Sequence, residues 1–108
     1  MPIEHDAFYA MLGIAMRAGA LTLGEGGVSK AISAGAARFV LLDAGASENT
    51  RKKFTDACAF RGVELFETQA DRLGQAVGRP GRMSAAVAAG PLGEKLRELA
   101  VTDARGRR

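Results

Sequence analysis

Few residues in this chain have types and spacing that could do chemistry, and they point to binding, not catalysis. His5 is the only histidine and Cys58 the only cysteine. Position 5 lies near a chain end, where fraying is expected, and Cys58 falls on the apolar side of a helical pattern, which makes it an inert packed thiol. A Cys-His pair is therefore not expected, and no two Cys or His residues stand at ligand spacing for zinc. Asp43 ends an apolar run and has only Ser47 as a sequence neighbour of catalytic type. A Ser-Asp pair without a base is not a triad, so Asp43 reads as a turn acceptor for backbone amides. Gly24-Glu25-Gly26-Gly27 precedes a helical pattern that carries Lys30. Amides at such a glycine-rich helix start can take a phosphate, although the lysine and Ser/Thr of a nucleotide-binding phosphate loop are missing. Arg79-Pro80-Gly81-Arg82-Met83 makes a second candidate: a tight basic loop with one apolar side chain, running into Ser84. Amides, cations and an apolar wedge together suit irregular RNA, where phosphates take the charge and a splayed base packs on the apolar group. Aromatic residues are too scarce for a base-stacking platform.

The elements that must position these groups follow from hydrophobic periodicity. Residues 5–18 read as a first helix, with Phe8, Met11, Leu12 and Ala15 on one stripe, and residues 21–23 as a short edge strand. Val28, Ala31 and Ile32 mark a second helix that Gly35 stops. Residues 39–42 form an apolar run too short for a core helix, which predicts a central strand covered on both faces. Ser47 is a good N-cap for a third helix to about residue 60, and Glu48 suits its first turn. Residues 63–66 read as a strand. Thr68 reads as the cap of a short helix carrying Leu73, Ala76 and Val77, with Asp71 completing a capping box. Residues 84–89 read as a small-residue strand, and Leu92, Leu96 and Leu99 mark the last helix, with residues 101–108 as a frayed tail. This order predicts an α/β fold: a three-layer α/β/α sandwich with a small mixed sheet of three to four strands and helices on both faces.

The chain has 108 residues, a one-domain length, and its 47% apolar content argues against disorder. The expected organisation is a domain over residues 1–104 and a basic disordered tail over 105–108. A single cysteine excludes an internal disulfide, and no apolar stretch of membrane length or basic signal start is visible, so the cytoplasm is the expected compartment. The 15 Lys and Arg outnumber the 12 Asp and Glu only through the tail, because residues 105–108 hold three arginines. The body is neutral, and any nucleic-acid footprint must come from clustering. Of the 15 basic residues 11 are arginine, which fits phosphate contact and an arginine-biased genome equally well.

Several stretches together resemble the kink-turn-binding ribosomal-protein superfamily, of the L-seven-Ae and L-thirty-e type, and its small bacterial RNA-binding branch. They are Leu12-Gly13-Ile14-Ala15-Met16-Arg17-Ala18-Gly19, Gly24 with Lys30-Ala31-Ile32, residues 35–42, Ala46-Ser47-Glu48-Asn49-Thr50-Arg51-Lys52-Lys53 with Cys58, and Leu73-Gly74-Gln75-Ala76-Val77-Gly78-Arg79. The resemblance implies the same three-layer fold and a non-catalytic, monomeric protein that binds structured RNA, ribosomal or kink-turn-like, alongside the ribosome or translation factors. It implies neither a cofactor nor DNA or membrane binding. It implies an RNA surface in three parts: the turn and helix start at Gly24, Glu25, Gly26, Gly27 and Lys30; the loop after the central strand at Asp43 and Ala44; and the loop at Arg79, Arg82, Met83 and Ser84. Arg38, Arg51 and Lys52 are further candidates by charge. The chain departs from the family where Gly26-Gly27 replaces the Asn-Glu pair that reads sheared G·A pairs, at Ala20, and at Gly45. Scaffold and lysine remain while base-reading side chains are lost, so weakened or altered kink-turn specificity is expected. The rival expectation is a structural or protein-interaction module that has lost most RNA binding. The two differ in whether the basic residues converge on the Gly24 turn or scatter.

Overall fold

The structure is a computed structural model that describes the chain over residues 2–106, with side chains to residue 102. In chain order it holds α1 (Asp6–Arg17), β1 (Leu21–Leu23), α2 (Glu25–Ser33), β2 (Phe39–Asp43), α3 (Glu48–Arg61), β3 (Glu64–Thr68), α4 (Arg72–Val77), β4 (Ser84–Val87) and α5 (Pro91–Gly106). The four strands form one mixed sheet in the order β1-β4-β2-β3. β4 is antiparallel to both β1 and β2, whereas β2 and β3 are parallel and joined through α3.

All five residues of β2 are buried, because the strand is interior to the sheet and helices cover both faces. Its side chains alternate between two cores, as strand geometry requires. Phe39 and Leu41 join Phe8, Leu12, Leu73 and Leu96, in the layer built by α1, α4 and α5. Val40 and Leu42 join Val28, Ile32, Phe54 and Cys58, in the layer of α2 and α3. β4 divides the same way, with Ala85 and Val87 on the first side and Ala86 on the second. The expected three-layer α/β/α sandwich is therefore the observed one. Cys58 is buried, and desolvation pushes its thiol pKa up, away from reactivity.

Three local expectations are corrected. Thr68 does not cap a helix: it is the buried last residue of β3, and its hydroxyl donates to Asp43 Oδ1 at 3.1 Å. Asp71 is instead the residue before α4, in the left-handed region at φ 67°, and its own side chain caps nothing. The last helix does not stop near Leu99 but continues to Gly106, so residues 101–106 are helical; the rest of the expected tail, 107–108, lies outside the described residues. The segment before α1 is also tied down, not frayed. Ile3 forms a parallel bridge with Thr68, its amide donates to Glu67 O at 2.8 Å, and the Tyr9 hydroxyl donates to Ile3 O while accepting from the Gln69 amide.

The antiparallel placement of β4 decides which turns meet. The C-terminal ends of β1, β2 and β3 and the N-terminal end of β4 share one edge of the sheet, as the pairs Leu23↔Ala85, Leu42↔Ser84 and Asp43↔Thr68 show. The opposite end carries a charged lattice in which Arg97 holds Glu64 bidentately at 2.5 and 2.9 Å, and Arg38 reaches Glu94 at 2.7 Å and Glu64 at 3.6 Å.

Two substitutions test this architecture. The hydrogen bond from Arg97 holds the Glu64 carboxyl below its ordinary range against the opposing effect of burial, and the charges of Arg97 and Arg38 add to the lowering. A depressed carboxyl stabilises the fold above its unfolded pKa and loses that contribution as the pH falls through the folded value. Glu64→Gln should thus be less stable than the parent at neutral pH, and the gap should close on acidification, as read by urea unfolding across pH. In α2, a Cβ at Gly26 would meet nothing within 4 Å, whereas one at Gly27 would lie 2.8 Å from Thr22 Cγ2. Gly26→Ala should raise stability by about 0.5–1 kcal/mol through helix propensity, and Gly27→Ala by less, because Thr22 must turn its methyl away.

Candidate functional site

At the shared sheet edge the Gly24 turn and the Asp43 loop are both pinned to the segment before β4. The Gly24 amide donates to Ser84 O at 3.3 Å, and the Asp43 amide donates to Met83 O at 2.8 Å. Between these seams lies an open cleft of about 220 Å³, lined by Gly24, Glu25, Thr50, Gly81, Arg82, Met83 and Ser84. Two separate sequence candidates, the glycine-rich helix start and the basic loop, thus form one concavity.

Gly24 occupies the N-cap of α2 at φ 86°, a conformation that side-chain-bearing residues rarely take. Its missing side chain also makes room above it: a Cβ there would lie 3.4 Å from Arg82 Nη1, so the guanidinium sits over the turn. No side chain caps α2. By contrast, α1 receives a bond to His5 Nδ1 at 3.3 Å and α3 one to Ser47 Oγ at 3.2 Å. The first-turn amides of α2 are left for an outside acceptor, in the positive field of the helix start. Glu25 places a carboxylate in the same turn, where the dipole favours it, and its Oε2 accepts from Thr50 Oγ1 at 3.3 Å. An anion therefore enters most favourably from the Arg82 side.

Asp43 is fully buried beneath this edge. Its Oδ2 accepts from the amides of Gly45 at 2.9 Å and Asp71 at 2.8 Å, and its Oδ1 accepts from the Leu73 amide at 3.2 Å and from Thr68 Oγ1 at 3.1 Å. The reading of Asp43 as an acceptor for turn amides is what the structure shows. As a residue at the mouth of the site it is corrected: all four bonds are internal, and the carboxylate presents nothing to a ligand. Ala44 above it is half-buried, with its amide on Thr68 O at 2.8 Å.

The basic candidates divide. Arg82 lines the cleft and Arg79 precedes it in the same loop; both are exposed, and among the described residues neither makes an ion pair. Lys30 is exposed in the last turn of α2, likewise without an ion pair. Arg51 lies near the same edge but is engaged, with Glu67 at 2.7 Å and Ala44 O at 3.2 Å. Lys52 pairs with Asp56 at 3.0 Å on the outer face of α3. Arg38 is removed from the site altogether, since its amide bonds Val87 O at the far end of β4 and its side chain joins the opposite lattice. Convergence on the Gly24 turn therefore holds for Arg82, whereas Arg38, Arg51 and Lys52 are satisfied elsewhere.

Sequence reasoning missed Thr50, placed only on the inner face of α3; it lines the cleft together with Gly81 of the basic loop. Thr50 had a signal: it stands three residues after the N-cap Ser47, in a first turn that packs toward α2. Among the described residues no group of three or more His, Cys, Asp or Glu could hold a metal ion, and no helix is long and apolar enough to cross a membrane.

Comparison with known proteins agrees with this fold. The sequence model of the Ribosomal protein L7Ae/L30e/S12e/Gadd45 family matches residues 6–96. The chain is 36% identical over 93 residues to the RNA-binding protein YlxQ of Bacillus subtilis (strain 168), covering 85% of this chain and 93% of that one. Its fold matches a Bacillus halodurans C protein of unknown function with TM-score 0.83 and 30% identity, over 90% of this chain and 99% of that one. It also matches the Giardia lamblia 15.5kD RNA binding protein with TM-score 0.78, over 97% of this chain and 94% of that one; at 18% identity this shows a common fold. The family model spans both helix layers and all four strands, and the chain accordingly belongs to the Ribosomal protein L7Ae/L30e/S12e/Gadd45 family.

Proposed function

We propose that this chain is a non-catalytic RNA-binding protein that takes structured RNA, ribosomal or kink-turn-like, on the edge formed by residues 24–27 and 79–84. The observation that carries the reading is the cleft itself: an uncapped helix start at Gly24 with the guanidinium of Arg82, which has no ion pair among the described residues, over it. Amides and arginines there suit phosphate oxygens, and Met83 offers an apolar surface to a base. The name of the Bacillus subtilis relative, an RNA-binding protein, supports the same reading. Kink-turn specificity is weakened, because Gly26 and Gly27 carry no side chain to read base edges. Association with the ribosome or translation factors belongs to this proposal, as do monomeric action and a cytoplasmic setting.

A specific observation favours the second reading, a structural or protein-interaction module. Three of the candidate cations, Arg38, Arg51 and Lys52, are spent in ion pairs. The two readings separate by binding of labelled kink-turn RNA, a control duplex and ribosomal RNA fragments at two salt concentrations. RNA recognition predicts selective binding that Arg82→Ala and Lys30→Ala weaken, each lowering the salt slope by about 0.7–0.9 for one lost phosphate contact. Weak, equal binding that vanishes at physiological salt would sink it and leave the module. As a second arm, Gly26→Asn with Gly27→Glu should tighten kink-turn binding, since position 26 is open and position 27 needs only the Thr22 methyl to rotate. No gain would count against lost side-chain readout as the cause.

A further inference from the structure

The Asp43 carboxylate holds together pieces of chain that are far apart in sequence, and what it holds leads to the cleft. A carboxylate offers about four lone-pair sites, and here four donors occupy them: Gly45 N, Thr68 Oγ1, Asp71 N and Leu73 N. Two of these donors are the amides at the entrance to α4, a helix of 6 residues whose own N-cap side chain caps nothing. Asp43 supplies that cap from β2, and so fixes where α4 begins. The other amide, at Gly45, sets the turn after β2. A Cβ on Gly45 would stand 3.8 Å from Met83 Sδ, so this turn lies against the residue that floors the cleft.

α4 in turn carries the basic loop. Gly74 is buried, and a Cβ on it would come within 2.8 Å of Arg79 O, 3.0 Å of Gly81 N and 3.1 Å of Pro80 Cα. The backbone of residues 79–81 therefore rests directly on the first turn and a half of α4. The Arg79 amide returns to Gly74 O at 2.9 Å, and the Arg82 amide to Arg79 O at 3.3 Å. Contacts run from the Asp43 carboxylate through the Leu73 amide and Gly74 to the backbone of residues 79–82, and others run through Gly45 to the Met83 side chain, beside the direct bond from the Asp43 amide to Met83 O.

We propose that Asp43 is the positioning residue of the RNA-facing edge, a buried anion that sets the register of the Arg79 and Arg82 loop through α4 without itself touching the ligand. The proposal rests on the reading of that edge as an RNA surface. It gives the acid a role opposite to its charge: placed at the mouth, Asp43 would repel phosphate, whereas buried and saturated by donors it orients the cations that attract it. Asparagine cannot replace it, because the amide nitrogen would present donors to a site already made of donors.

The test uses the full chain with Asp43→Asn and Gly74→Ala, and with Leu96→Ala, on α5 in the same core layer, as a control for general destabilisation, all below their unfolding transitions. The first readout is the backbone amide NMR spectrum and needs no RNA. Asp43→Asn should shift the amides of Gly45, Asp71 and Leu73, which it touches, and also those of residues 79, 81 and 82, which it does not. Gly74→Ala should shift the second set and leave the Gly45 amide in place; it also keeps the proposal testable if Asp43→Asn does not fold. The second readout is affinity for the RNA that the parent binds. Both variants should lose about tenfold, with a salt slope lower by about one phosphate contact, and the double variant should lose no more than either alone. Leu96→Ala should keep the parent affinity and slope. Unmoved amides at residues 79, 81 and 82 in folded Asp43→Asn would overturn the coupling, as would a folded Gly74→Ala with parent RNA affinity and slope. A parent chain that binds no RNA would instead overturn the functional reading, while the amide shifts would still decide whether Asp43 sets the loop.

Discussion

A carboxylate removed from water must have its lone pairs filled, and at the top of this sheet that requirement falls on Asp43. Burying an ionised group without partners is among the costliest events in folding, whereas charge-assisted bonds to several donors offset the loss of hydration. The chain meets the requirement with three backbone amides and one hydroxyl drawn from the β2 turn, the end of β3 and the start of α4. The path of α4 is the most evident consequence. This short helix has no cap of its own, and Asp71 precedes it in a strained left-handed conformation that the bond to Asp43 helps to hold.

The two ends of the sheet use charge in different ways. At one end Arg38, Glu64, Glu94 and Arg97 neutralise one another in a partly exposed lattice. At the other, one acid is buried and saturated while Arg79 and Arg82 are left exposed without anionic partners among the described residues. A body of balanced formal charge can thereby leave exposed guanidinium groups at one edge. Net charge describes the average of these two ends and conceals their separation; attraction of a polyanion depends on the local field.

The cleft also shows how side chains can be traded for backbone. Gly24, Gly26 and Gly27 remove bulk from the start of α2 and leave its amides accessible beneath Arg82. Amides and guanidinium groups recognise phosphate geometry irrespective of sequence, whereas base edges need directed side-chain donors and acceptors. Glu25, tethered to Thr50, is the directed polar side chain that remains in this first turn, and it narrows the approach for an anion.

The sequence by itself determined the elements and the layers. The unbroken apolar run before Asp43, the Ser47 cap and the spacing of Val28 with Ile32 are local signals, because strand burial, capping and helical periodicity act within a few residues. The glycine-rich turn and the basic loop were legible for the same reason, as was the likeness of this chain to a family. Which charges face the site was decided only by tertiary structure. Arg38 went to the opposite end and Arg51 to Glu67, while Thr68 became a strand residue donating to Asp43 instead of a helix cap. These outcomes depend on strand order: the parallel β2–β3 pair sets Asp43 beside Thr68, and the antiparallel insertion of β4 between β1 and β2 brings residues 24, 43 and 83 to one edge. Local periodicity carries no record of strand order, and a side chain's partner is set by whatever that order places beside it.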